Sequence, residues 1–264
     1  MTLLKLALAA AGLFAGGAAA AGTPPALVEC TVVADLASGA VLVREGICDR
    51  RFSPMSTFKV PLAVMGFDAG ILAGAHDPVW EIKTEYAPSK REQAFPAVDP
   101  TSWEENSIVW FSKHLTTLLG DAAFARYVAD FGYGNEDVSG GLTAAWLMSS
   151  LAISPDEQVA FLRRMLDRAL PVPAAAIDRT EEIVPVFSAG GWTVHGKTGA
   201  GQLPDAPGAG GESRPLGWFV GWADKDGRRV VFARLFIAAG ALDGPASFVA
   251  RGALLEDLPR LLAD

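Results

Sequence analysis

The chain has 264 residues, 50% of them hydrophobic and 20% charged, with a formal net charge of −8 at pH 7. That is a globular composition, and the length suits one large domain or two closely joined lobes. An acidic chain without Lys/Arg clusters argues against a nucleic-acid partner.

In chain order, "MTLLKLALAAAGLFAGGAAAAG" comes first: Lys5 in a short basic start, an apolar stretch, then small residues that suit cleavage near Ala21. This is the pattern of a secretory signal peptide. Residues 1–21 are therefore expected to be removed, leaving 22–264 as one periplasmic or secreted domain. No later segment reaches about 18 uninterrupted apolar residues, so no stable membrane insertion is expected after cleavage.

The next stretch, "VECTVVADLASGAVLVREGIC", reads as two strands about a turn at Ala37-Ser38-Gly39. Cys30 and Cys48 sit near its outer ends, and folding the hairpin brings them together. In an oxidising compartment this predicts a Cys30–Cys48 disulfide. These two cysteines and the scattered His76, His114 and His195 make no metal-ligand cluster, so no metal is expected.

"SPMSTFKVPLAVMGF" then predicts an apolar helix carrying Ser56 and Lys59. A serine hydroxyl is a weak nucleophile and needs a nearby base. Positions i and i+3 share a helix face, so Lys59 can reach Ser56. A helix starting near Ser53-Pro54 would also point backbone N–H groups toward a developing oxyanion. Taken alone, S-x-x-K fits equally a lysine snorkelling from a helix end. No substitute carboxylate is evident near these motifs.

A looser region from Ala73 to Pro100 precedes helical patterns at "SIVWFSKHLTTLLG" and "DAAFARYVADFG", the second with Asp121 as its cap. "SPDEQVAFLRRMLDRAL" carries a capping box, Ser154 with Glu157, and Pro155 in the first helical position. Strand patterns return at "WTVHGKTGAG", "LGWFVGWADK" and "RRVVFARLFIA", the last two joined by an Asp226-Gly227 turn. A final helix starts near Pro245. The prediction is an α/β (α+β) fold: one antiparallel sheet built from N- and C-terminal strands and flanked by helices, with a helical middle.

Lys197-Thr198-Gly199 falls on a predicted edge strand, where the small glycine would let a substrate backbone lie close and the lysine supplies positive charge. S-x-x-K followed by K-T-G occurs in penicillin-interactive serine enzymes. Between them there is no S-D-N; instead there are Ser107-Ile108-Val109 and Tyr133-Gly134-Asn135. S-T-F-K, S-x-V, Y-G-N and K-T-G in this order resemble the class D β-lactamases, the oxacillinases. "SWEENSIVWFSKHLTTLLG", "SGGLTAAWLMSSLAISP" and "GWFVGWAD" extend the likeness to essentially all of the mature chain.

The resemblance implies a β-lactamase/D,D-peptidase-like fold, a helical lobe beside an α/β lobe with the site between them. It implies hydrolysis of a small-molecule β-lactam such as a penicillin, and hence antibiotic resistance. Ser56 would be acylated, with its own N–H and that of Ala200 forming the oxyanion hole. Lys59 would be carbamylated by carbon dioxide (N6-carboxylysine) and serve as general base, with no other cofactor. Burial among Phe58, Val60, Val109 and Leu147 would lower its pKa, and Trp146 and Ser56 would hold the carbamate. Ser107 and Lys197 would relay a proton to the leaving nitrogen, Val109 would wall off the carbamate, and Thr198 and Arg251 would bind the substrate carboxylate. Each has an ordinary alternative: a helix cap for Ser107, core packing for Trp146, a surface ion pair for Arg251. Three other readings of the whole chain stay open, namely a D,D-peptidase, a non-hydrolysing β-lactam sensor or penicillin-binding protein, and a periplasmic protein that keeps the fold without the activity.

Overall fold

A computed structural model describes residues 25–203 and 214–263. The expected signal segment 1–21, and positions 204–213 of the Gly/Pro-rich loop, lie outside the described residues.

Strand β1 (Ala26–Asp35) turns back through Gly39, which takes a left-handed φ of 74° that glycine adopts without penalty, into β2 (Val41–Gly46). A 3-10 turn, Met55–Phe58, runs directly into α1 (Lys59–Asp68). The looser region contains a two-stranded ribbon, β3 (Trp80–Glu81) with β4 (Ala97–Val98). The helices α2 (Pro100–Glu105), α3 (Val109–Leu119), α4 (Asp121–Asp130), α5 (Pro155–Leu166) and α6 (Ala174–Ile183) follow. Then come β5 (Val186–Ala189), β6 (Trp192–Leu203), β7 (Arg214–Lys225), β8 (Arg228–Ala238) and α7 (Ala246–Leu261). The Ser154–Glu157 capping box forms with Pro155 leading the helix. Asp121 is not the cap expected of it: Gly120 occupies that position, and Asp121 is the first residue inside α4.

The main sheet has six strands in the order β2-β1-β8-β7-β6-β5, every neighbouring pair antiparallel. Strands from both ends of the chain thus meet at the β1–β8 seam. The central strands are buried on both faces, which is why "LGWFVGWA" is a continuous apolar run rather than an alternating one. Alternation still sorts its side chains. Trp218, Val220 and Trp222 enter the core shared with the helices, whereas Phe219 and Ala223 face the core under α7. Helix α7 contributes Ala246, Ala250, Leu254 and Leu258 to that second core, a four-residue spacing that keeps them on one stripe.

Cys30 and Cys48 are bridged, with Cα atoms 5.2 Å apart. Replacing both with serine should lower stability by about 3 kcal/mol in the loop-entropy account. Urea denaturation of the oxidised protein and the double-serine variant should show this as a lower midpoint, and coincident midpoints would contradict it.

Candidate active site

Ser56 sits on the 3-10 turn, and Lys59 is the first residue of α1. The Lys59 N–H donates to the Ser56 carbonyl, so the two are joined across a 3-10-to-α junction rather than within one regular helix. The turn is fastened from three directions. Ser53 Oγ donates to the Trp146 carbonyl at 2.8 Å and accepts from the Met148 N–H at 2.9 Å. The Trp218 indole N–H donates to the Ser53 carbonyl at 2.9 Å. Thr57 Oγ1 donates to the Pro54 carbonyl at 2.7 Å and accepts from Gln158 Nε2 at 3.0 Å. Gly199 of the K-T-G element allows the turn to pack against β6: a Cβ there would come within 2.8 Å of the Pro54 carbonyl oxygen. The space saved at this glycine is filled by the protein's own Ser56 turn, not by a substrate backbone as the sequence suggested.

The edge character of K-T-G is local. Strand β5 pairs with β6 only from Trp192 to His195, so Lys197–Leu203 pair with β7 alone. Lys197 Nζ donates to Ser107 Oγ at 3.1 Å and to the Thr198 carbonyl at 3.0 Å. Ser107 is not a helix cap. It takes a left-handed φ of 53°, and α3 starts two residues later with Ile108 as its N-cap. Ser56, Ser107, Val109, Thr198, Ala200 and Arg251 line one cleft of about 560 Å³ with Lys197. His195 lies outside this group, stacked on Trp222 at 5.1 Å.

Lys59 is 1% exposed. Burial is the main reason its pKa falls to about 7, with the nearby Lys197 charge adding to the fall and Glu104 and Glu92 opposing it. Its surroundings differ from the expected ones. Nζ donates to Ser112 Oγ of α3 at 3.0 Å and lies 5.9 Å from the Trp103 ring centroid. The Trp103 indole N–H donates to the same Ser112 oxygen at 2.9 Å. Trp146 is stacked on Phe58 at 5.3 Å, and its backbone carbonyl anchors the Ser56 turn.

Three contributors escaped sequence reasoning. Ser112 and Trp103 sit inside apolar helical patterns, where a single polar atom leaves little trace. Glu92, buried in a short 3-10 turn (Glu92–Ala94), accepts from the N–H groups of Val109 and Trp110 at 2.5 and 3.3 Å. That carboxylate satisfies the start of α3 and so fixes the Ser107–Val109 corner. Contrary to the expectation of no carboxylate near the motifs, Glu104, fully buried, lines the same cleft.

Arg251 projects from α7 into the cleft wall with its guanidinium over Phe187 at 5.2 Å and Phe248 at 4.6 Å. Contact with these two rings holds the Arg251 cation at the cleft wall.

Comparison with known proteins agrees with this arrangement. The "Penicillin binding protein transpeptidase domain" family model matches residues 29–256. β-Lactamase OXA-9 of Klebsiella pneumoniae is 50% identical over 90% of this chain and 89% of its own length. β-Lactamase OXA-1 of Escherichia coli is 35% identical over 77% of this chain and 74% of its own. The crystal structure of the class D β-lactamase OXA-427 superimposes with a TM-score of 0.80 at 38% identity, covering 89% of this chain and 98% of that one. With the S-T-F-K turn, the S-x-V corner and the K-T-G strand converging on one cleft, the chain belongs to the class D β-lactamases, within the penicillin-binding transpeptidase family.

Proposed function

We propose that the protein hydrolyses the amide of penicillins and related β-lactams through an acyl-enzyme on Ser56. The observation that carries this reading is the placement of Ser56 three residues before a buried lysine whose pKa, lowered by burial to about 7, leaves a substantial neutral fraction near neutral pH. Ser56 Oγ attacks the β-lactam carbonyl carbon while the N–H groups of Ser56 and Ala200 receive the developing oxyanion. The C–N bond breaks, and the Ser107 hydroxyl gives its proton to the departing nitrogen. Lys197 replaces that proton through the 3.1 Å bond it already makes to Ser107. Val109 shields the lysine side of the cleft, and water then hydrolyses the ester.

Lys59 is the proposed modification site. A neutral buried amine can add carbon dioxide, and the Ser112 hydroxyl bonded to Nζ, together with the Trp146 indole N–H, is proposed to supply the donors an anion there requires. Carbon dioxide held on Lys59 supplies an anionic base for removing the Ser56 proton and for activating the deacylating water. No metal is needed for any step proposed here.

Thr198 and Arg251 are proposed to bind the substrate carboxylate. Arg251→Ala should raise KM for a penicillin by roughly 10- to 100-fold, with a smaller change in kcat, because one charge-assisted contact is lost. Steady-state kinetics giving an unchanged KM would remove Arg251 from the site. We further propose that residues 22–264 form one exported domain, released when segment 1–21 is cleaved. The Cys30–Cys48 bridge supports export, and among the described residues no helix is long and apolar enough to cross a membrane.

The activity is tested by mixing the purified protein with a large molar excess of penicillin and following ring opening. Many turnovers per enzyme are expected. One equivalent opened per enzyme would indicate a sensor or peptidase instead, and no opening would refute the assignment.

A further inference from the structure

We propose that Glu104 takes up the proton that Lys59 releases when carbon dioxide adds to it, so that the pocket exchanges one buried anion for another. This rests on the carbamylation of Lys59 proposed above.

Glu104 lies in the last turn of α2, is 0% exposed, and among the described residues neither of its carboxylate oxygens has a hydrogen-bond partner. It caps no helix: α2 is capped by Asp99, which accepts from the Ser102 N–H. A carboxylate buried without partners is costly to keep charged, so its presence in the cleft beside Ser56, Ser107 and Lys197 asks for a chemical reason. Burial raises its pKa, and the two charges that pull it back down are Lys197 of β6 and Lys59 of α1. Further out, Arg91 and Glu92 act on Lys59, and Arg251 of α7 acts on Lys197, while Glu105 of α2 lines the same cleft.

Charge conservation then defines the role. With Lys59 a neutral amine, the Lys197 cation and the Glu104 anion cancel. Carbon dioxide forms a bond from its carbon to Nζ, one C=O electron pair moves onto oxygen, and Nζ gives up one of its two protons. If that proton goes to Glu104, the products are a carbamate anion and a neutral carboxylic acid, and the group still cancels against Lys197. If Glu104 stayed ionised, two buried anions would share the charge of one cation, Lys197. The new anion at Lys59 raises the affinity of Glu104 for the proton further. Glu104 is thus a positioning residue for the proton balance of the site, not a group that touches the substrate.

The test measures carbamate occupancy by 13C NMR with labelled carbon dioxide, as a function of dissolved carbon dioxide, between roughly pH 7 and 8, where Lys59, with a pKa of about 7, is becoming neutral and Lys197, at about 8, still keeps its proton. In the unaltered protein no net proton leaves, so the dissociation constant for carbon dioxide should be nearly flat with pH. In Glu104→Gln the proton must go to water, and the constant should fall about tenfold per pH unit. Infrared difference spectra of the unaltered protein should also show a protonated carboxyl band appearing with the carbamate, a readout that does not depend on the variant folding. Equal pH slopes, or carbamate formation without that band, would overturn the role of Glu104 and leave the carbamate standing. No carbamate signal in the unaltered protein would overturn the carbamylation itself, and this inference with it.

Discussion

Activity in carbon-dioxide-depleted buffer should be low, should fall further below about pH 7, and should return when bicarbonate is added. The sign follows from Lys59. Burial holds its pKa near 7, against an ordinary 10.5. Above that value the amine is neutral and can add carbon dioxide; below it the ammonium can neither accept a proton nor react. Each pH unit below the pKa therefore removes about nine-tenths of the remaining neutral amine. Two variants locate the donors that hold the anion. Ser112→Ala removes the hydroxyl bonded to Nζ at 3.0 Å and should raise the bicarbonate requirement roughly 10- to 100-fold, the cost of one buried charge-assisted bond. Trp146→Ala should also need much more bicarbonate, since it removes the indole N–H proposed to hold the carbamate. Kinetics unchanged by carbon dioxide at every pH would mean that Lys59 works as a free amine.

Lys59→Ala should separate acylation from deacylation. Ser56 keeps its oxyanion donors, so a penicillin still acylates it slowly, but water at the ester has lost its base. The expected trace is a slow rise to one ring-opened equivalent followed by a flat line, whereas Ser56→Ala should show neither the rise nor turnover, a loss of roughly 10⁴-fold or more. Sustained turnover by Lys59→Ala would move the base elsewhere, with Glu104 first in line. Adding Glu104→Gln to Lys59→Ala would then abolish the residual rate.

Much of this arrangement was legible in the sequence because it is local. The hairpins at Ala37-Ser38-Gly39 and Asp226-Gly227, the Ser154–Glu157 box and the S-T-F-K turn each depend on residues within a few positions of one another. Strands from the two termini announced a shared sheet, and the cysteines at the ends of one hairpin announced their bridge. The remainder depends on elements distant in sequence. Ser112 matters because α3 brings it to Lys59, 53 positions away, and nothing in "VWFSKHL" separates it from a polar residue on a helix surface. Glu104 adjoins Glu105 in "WEEN", and only the packing of α2 buries one and leaves the other exposed. Gly199 was legible as a site of close approach, but its partner was not, because the Pro54 carbonyl reaches it from 145 positions upstream (199 − 54). Ser107 kept an ordinary alternative for a similar reason: a serine before an apolar run also fits a cap, and only the structure shows Glu92 from an earlier turn satisfying the start of α3 while the hydroxyl meets Lys197.

The central claim, turnover through an ester on Ser56, is tested most directly by rapid-quench mass spectrometry of the unaltered protein with a penicillin. A mass increase of one substrate molecule should appear within a turnover, map to the peptide containing Ser56, and vanish at the rate of hydrolysis once the substrate is exhausted. Hydrolysis that proceeds with no adduct on Ser56, or an adduct that persists while turnover continues, would contradict it.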